Sequence, residues 1–229
     1  MAITTTDTGM LRWLQLLQLA SPSLPIGGFA WSQGLEGAIE QGWLKNEADF
    51  AGWVSGVLRH SFLWQEIPLL ARLHGAASAH NDVELVKWNQ VALALRETAE
   101  LRQEDVQMGG ALLKLMRDLG FASALWWKEK EISYPCAFAL ACAHHGIDLR
   151  QAATGFVWSW LENQIAAALK LFPLGQTAGQ RVFQQIAPQI EVVIEQGLRV
   201  PDDEMGISLP GLVLGSMQHE EQYSRLFRS

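Results

Sequence analysis

A chain of 229 residues can bury a substantial core, as one large domain or two small ones. Its apolar fraction of 49% exceeds what a soluble monomer needs, which favours an oligomer or a partner-binding protein. A formal net charge of −7, with no cluster of lysine or arginine, makes nucleic acid and anionic membranes poor partners.

The N-terminal stretch 1–20 has no basic start before its apolar run, and Arg12, Gln15 and Gln18 interrupt that run, so it reads as neither leader nor anchor. No apolar segment approaches the roughly 20 residues of a membrane span, and a cytoplasmic chain is expected. A first helix over 9–20 ends at SPSLPIGGFAWSQGLE, residues 21–36. There Pro22, Pro25, Gly27 and Gly28 force a corner, and the chain restarts over 29–42 with Gln33 and Glu36 among its first polar groups.

Helices follow over 47–64 and 66–79, the first with Phe50, Trp53, Val54, Val57 and Leu58 at the spacing of a core-facing stripe. The next, over 82–103, steps by three and four through Leu85, Trp88, Ala92, Leu95 and Ala99. Further helices are expected over 104–119, 135–145, 149–171, 176–196 and 208–226. Asn81 with Glu84, and Asp148 with Gln151, fit capping boxes, in which a side chain accepts from an orphan N–H at a helix start. Gly42, Gly120 and Gly146 fit helix ends, and Pro135 fits a first turn. No β-branched run alternates with polar residues and no hairpin turn appears. The fold class is therefore all-α, a single-domain bundle of roughly nine or ten helices. The acidic, proline- and glycine-rich segment GLRVPDDEMGISLPG, 197–211, then divides a helical domain, 1–200, from a linker and separable C-terminal tail, 201–229.

Candidate chemistry is sparse. Cys136 and Cys142, the only two cysteines, lie six apart on one expected helix, too far for a disulfide, and read as core. His144 and His145 project about 100° apart on a helix, and a metal site needs three or four convergent ligands, so a structural reading leads. His80 and Asp82 sit at a helix junction that Asn81 caps. They supply, with His144 and His145, the alternative of a metal-dependent all-helical hydrolase. His60 borders the apolar stripe and reads as a partly buried core histidine. Neither phosphate-binding glycine motif occurs, nor the G-x-S-x-G elbow, and the glycines of PLGQTAGQ, 173–180, open a helix without a lysine. The charged run RETAELRQEDVQMGG, 96–110, reads as a solvated face, or as a docking face on which an opposing surface relieves the Glu100 and Glu104 repulsion. The terminal HEEQYSRLFRS carries Tyr223, Leu226 and Phe227, apolar anchors that need a groove, either on this chain's own bundle or on a partner.

Three separated stretches, LLQLASPSLPIGGFAWSQGLE (16–36), the run 96–110 with KLFPLGQTAGQ (170–180), and HEEQYSRLFRS (219–229), closely resemble the UreF family of urease accessory proteins. The likeness extends over essentially the whole chain. It differs where Phe29-Ala30 replaces an aromatic residue followed by serine, Asp105 a frequent serine, and Glu221 a threonine. The resemblance implies an all-helical homodimer without catalysis or bound cofactor. It also implies binding to the GTPase UreG and to the scaffold UreD, also called UreH, for nickel insertion into apo-urease, with GTP and nickel handled by those partners. Carried over by position, Gln33 and Glu36 of the corner, Glu100 and Arg102 of the charged run, and His219, Glu220, Tyr223, Arg225, Leu226 and Phe227 of the tail are the expected partner contacts. The tail is assigned to the scaffold and the polar face to the GTPase. A variant of that role has Arg102 entering the GTPase site as an arginine finger.

Overall fold

Residues 8–127 and 131–228 are those described by the computed structural model. Residues 1–7, on which the reading of no leader partly rests, lie outside them. The described residues contain eleven α-helices and no strand: α1 Thr8–Ala20, α2 Leu35–Glu40, α3 Glu47–Val57, α4 Ile67–Ser78, α5 Asp82–Ala94, α6 Ala99–Asp118, α7 Ala122–Leu125, α8 Tyr134–His144, α9 Leu149–Leu171, α10 Gln176–Gly197 and α11 Pro210–Glu220. None is long and apolar enough to cross a membrane.

At the centre lies α8, whose residues from Pro135 to Cys142 are all buried, the signature of a helix that is apolar all round. Helices α4, α5, α6 and α9 pack around it. Both cysteines are buried in it as free thiols. The expected stripe of Phe50, Val54, Val57 and Leu58 is buried, as are Leu85, Trp88 and Ala92. The caps form as read: Asn81 Oδ1 accepts from the Glu84 N–H at 3.1 Å, and Asp148 Oδ1 from the Gln151 N–H at 2.9 Å. Ser133 caps α8 just ahead of Pro135. Glycine ends three helices with φ between +65° and +78°, at Gly42, Gly120 and Gly146.

Boundaries move where distant contacts decide them. The helix expected over 29–42 begins only at Leu35, because Gly27, Gln33 and Gly34 all take left-handed φ values, +77°, +54° and +75°. The charged run is one helix rather than two, since Thr98 Oγ1 accepts from the Leu101 N–H and starts α6 there. The short α7 had no signal in the sequence. His60, read as partly buried, is exposed, because it falls on the outer side of the turn that buries Leu58 and Phe62.

The helices expected over 47–64 and 66–79 are one rod, joined by a π-helical stretch, Leu58–Glu66. The cause is Pro68, which has no N–H to give to the Trp64 carbonyl four residues earlier. The widened turns absorb the proline: the Ile67 N–H reaches back five residues to Phe62, and the Trp64 carbonyl accepts instead from the Gly206 N–H, at 3.0 Å. That bond fastens the linker 197–211 to the bundle.

Beyond the linker, α11 crosses α2 at glycine contact. A Cβ on Gly37 would lie 2.1 Å from the Gly215 carbonyl oxygen, and one on Gly215 would lie 2.7 Å from the Gly34 oxygen. Of the two placements open to the tail, this chain's own bundle is the one it occupies here.

Candidate functional site

The corner at 21–34 is held from α9. Asn163 donates to the Trp31 carbonyl at 2.9 Å and Gln164 to the Ser32 carbonyl at 3.2 Å, while the Trp160 indole donates to Gln33 Oε1 at 2.8 Å. Gln33 in turn donates to Glu104 Oε1 at 2.9 Å. A left-handed φ costs a residue with a side chain on the order of 1 kcal/mol, which these two bonds offset. Gln33 was expected at a partner surface. Its amide points inward instead, because Trp160 and Glu104 take both of its ends.

Glu36 lies one helical turn further on and is 7% exposed. Its Oε1 accepts from the Leu226 N–H at 2.7 Å, and its Oε2 from the Phe227 N–H at 2.8 Å. Its Oε2 is also 3.2 Å from His219 Nε2. The other ring nitrogen of His219 lies 2.8 Å from Glu100 Oε2, and His219 is wholly buried between the two carboxylates. Glu100 Oε1 takes the Arg225 guanidinium at 2.9 Å, and the Glu100 N–H donates to Glu220. Arg225 also binds the Glu220 carbonyl. Burial raises the Glu100 carboxyl above its ordinary value, against the opposing pull of His219 and Arg225.

The tail closes with further ties. The Arg228 N–H donates to the Ala30 carbonyl at 2.9 Å, its guanidinium lies over the Trp31 ring, and Phe227 is buried beneath Lys170. Under α11, the Thr98 and Ser216 hydroxyls pair at 2.7 Å.

One assembly thus unites the corner, the start of α6 and the tail, and it contains seven of the ten expected contact residues as interacting groups: Glu36, Glu100, His219, Glu220, Arg225, Leu226 and Phe227; Gln33 lies apart, bonded to Trp160 and Glu104. Five of the ten, Gln33, Glu36, Glu100, His219 and Phe227, are turned into the chain. Glu36, Glu100, His219 and Phe227 hold the tail and Gln33 holds the corner, each through contacts with another part of this molecule. Tyr223 is fully exposed and Leu226 is 63% exposed. Arg102 lies apart from the tail lock and pairs with Glu131, Nη2 to Oε2 at 2.6 Å, so entry into another protein's site requires it to leave that carboxylate.

A second buried set escaped the sequence reading. Arg96 binds Glu66 through Nη1 and Nη2, and its Nε donates to Asp105 at 3.1 Å. Asp105 also accepts from the Tyr134 N–H at 3.1 Å. Arg96 and Glu66 are 30 residues apart on different elements, so no local spacing marks them. Beside this set, burial pushes the Glu104 carboxyl up to about 8, with Gln33 opposing and Asp105 adding to the rise.

The histidines of the metal-hydrolase alternative do not converge. His144 stacks on Phe121 with ring centres 4.1 Å apart, and His145 meets the same ring edge-on at 5.0 Å. His80 is exposed at the end of α4. Among the described residues no three histidine, cysteine, aspartate or glutamate side chains form a metal-binding group.

A family model described as UreF matches residues 44–187. The chain is 47% identical to the urease accessory protein UreF of Alkalilimnicola ehrlichii over 227 residues, 99% of each chain. It is 48% identical to that of Marinobacter nauticus, over 98% of this chain and 97% of the relative. With that of Psychrobacter cryohalolentis the identity is 47%, over 96% and 95%. The all-helical architecture, the glycine-dependent corner and the tail that closes on it are thus those of a chain that belongs to the UreF family of urease accessory proteins.

Proposed function

We propose that this chain is a non-enzymatic chaperone of nickel-centre maturation, acting in the cytoplasm by presenting surfaces to other proteins. In this reading it recruits and regulates the GTPase UreG and binds the scaffold UreD, or UreH, while GTP and nickel stay with the partners until the metal enters apo-urease. Membership in a family of urease accessory proteins supports the process. The observation that carries the mode of action is the tail lock. Glu36, Glu100 and His219 fix residues 219–228 on the bundle while Tyr223 and Leu226 stay in solvent, so the ordering cost of binding is already met in the free chain.

We assign Tyr223, Leu226, Arg225 and Glu220 to the scaffold and Arg102 to the GTPase. An exposed apolar stripe on α1, Met10, Trp13, Leu14 and Leu17 at helical spacing, supports a homodimer.

Capture of the purified scaffold by the chain tests the assignment. Substituting both Tyr223→Ala and Leu226→Ala abolishes capture and leaves the melting temperature unchanged, because neither side chain is packed. Undiminished capture refutes the assignment. Deleting residues 219–229 is the poorer test, since it leaves Glu36 and Glu100 buried without partners.

A further inference from the structure

Between the corner, the π-helical stretch, α6, α9 and the linker lies a cavity of about 210 Å³. Leu24, Phe62, Met108, Phe156, Trp160 and Leu212 form the apolar part of its lining. Phe29 and Ile207, both well exposed, are also among its lining groups.

Acidic side chains outnumber basic ones among the described groups around it. Glu66, Glu104 and Asp105 are all buried there, and Arg96 is the one cation among the described lining residues. Each of the three nitrogens of Arg96 donates to Glu66 or Asp105. Glu104 is 5% exposed and receives only the Gln33 amide, on Oε1; its Oε2 has no hydrogen-bond partner. Glu97 and Glu162 line the same space and add to the negative side. A buried carboxyl with one unpartnered oxygen is completed by a cation that displaces its proton, and the apolar part of the lining suits a cation whose remaining surface is apolar. A bare metal ion would need several convergent ligands, and Arg96 already sits against two of the three carboxylates.

We propose that this cavity binds an organic cation, an ammonium or guanidinium group on an apolar stem, which pairs with Glu104 Oε2. The group comes either from a lysine or arginine side chain of a partner protein or from a free amine.

Burial holds Glu104 protonated up to about pH 8, so binding below that pH must expel its proton to the buffer. The titratable and polar groups around it are Asp105 on its own helix, Glu66 on the π-helical stretch, Arg96 and Glu97 after α5, Tyr134 on α8, Glu162 on α9 and Gln33 on the corner. Calorimetric titration of the full chain with n-butylammonium chloride, in buffers of differing ionisation enthalpy, reads this directly. Expected are saturable one-to-one binding, release of close to one proton well below pH 8 and little above it, and affinity rising about tenfold per pH unit up to that point. Glu104→Gln weakens binding by about tenfold or more, while n-butanol binds far more weakly than the amine. Should that variant fail to fold, the proton release and pH slope of the unaltered chain still decide. No saturable binding, a pH-independent affinity, or equal binding of n-butanol overturns the proposal. The source is read by saturating the chain with n-butylammonium before capture of the GTPase or scaffold. Weakened capture assigns a partner's side chain, and unchanged capture a free amine. Only this last arm rests on the proposed function; the titration does not.

Discussion

Glu36 concentrates three contacts from the tail on one carboxylate, two backbone N–H groups and the His219 ring. An amide in its place keeps one acceptor and turns a donor toward the other N–H. Glu36→Gln is therefore expected to cost about 2 kcal/mol, read in chemical denaturation, and to speed amide exchange at Leu226 and Phe227 before that of the bundle. Glu104 acts on stability with the opposite charge preference. Its folded value of about 8 lies above the ordinary 4.5, so the native chain keeps a proton that the unfolded chain has lost. That contribution is complete below about pH 4.5 and disappears as pH rises through about 8. Melting temperature is expected to decline over this window, and Glu104→Gln, which cannot ionise, to flatten the decline. An equal slope in both proteins contradicts the assignment.

At the scale of elements, the crossing of α2 and α11 depends on the absence of side chains. Gly37→Ala places a methyl 2.1 Å from a backbone oxygen, so the helices must part. Overpacking of this kind costs about 1–3 kcal/mol, and here it acts on the helix crossing that seats α11. Limited proteolysis is expected to cut the variant within 197–211 while α1–α10 stay intact; resistance equal to that of the unaltered chain argues against the seam. Such elements differ in how far the sequence reveals them. Helix α9 is legible to the residue, because its start is an aspartate cap and its end lies just before Phe172-Pro173, both local signals. The merger of α3 and α4 is not legible, since it requires knowing that Gly206 arrives to satisfy Trp64. The start of α6 falls between: Thr98 is a plain capping residue, masked by the charged residues on either side.

The whole molecule brings together a corner near residue 30, a helix start near 100 and a tail near 225. The motifs at all three places stand out in the sequence, whereas their mutual engagement does not, because Glu36 and Phe227 are 191 positions apart and no spacing rule reaches so far. That closure is why Glu36, Glu100 and His219 serve as internal struts, while Tyr223, Leu226 and Arg225 of the tail stay exposed beside it. The proposed role is that the chain promotes urease maturation by holding such groups toward other proteins, with no chemistry of its own. The most direct test is nickel-dependent activation of apo-urease in a purified mixture with the GTPase and scaffold. The account predicts activation with the unaltered chain and its loss with the Tyr223→Ala, Leu226→Ala double variant; full activation by that variant would contradict it.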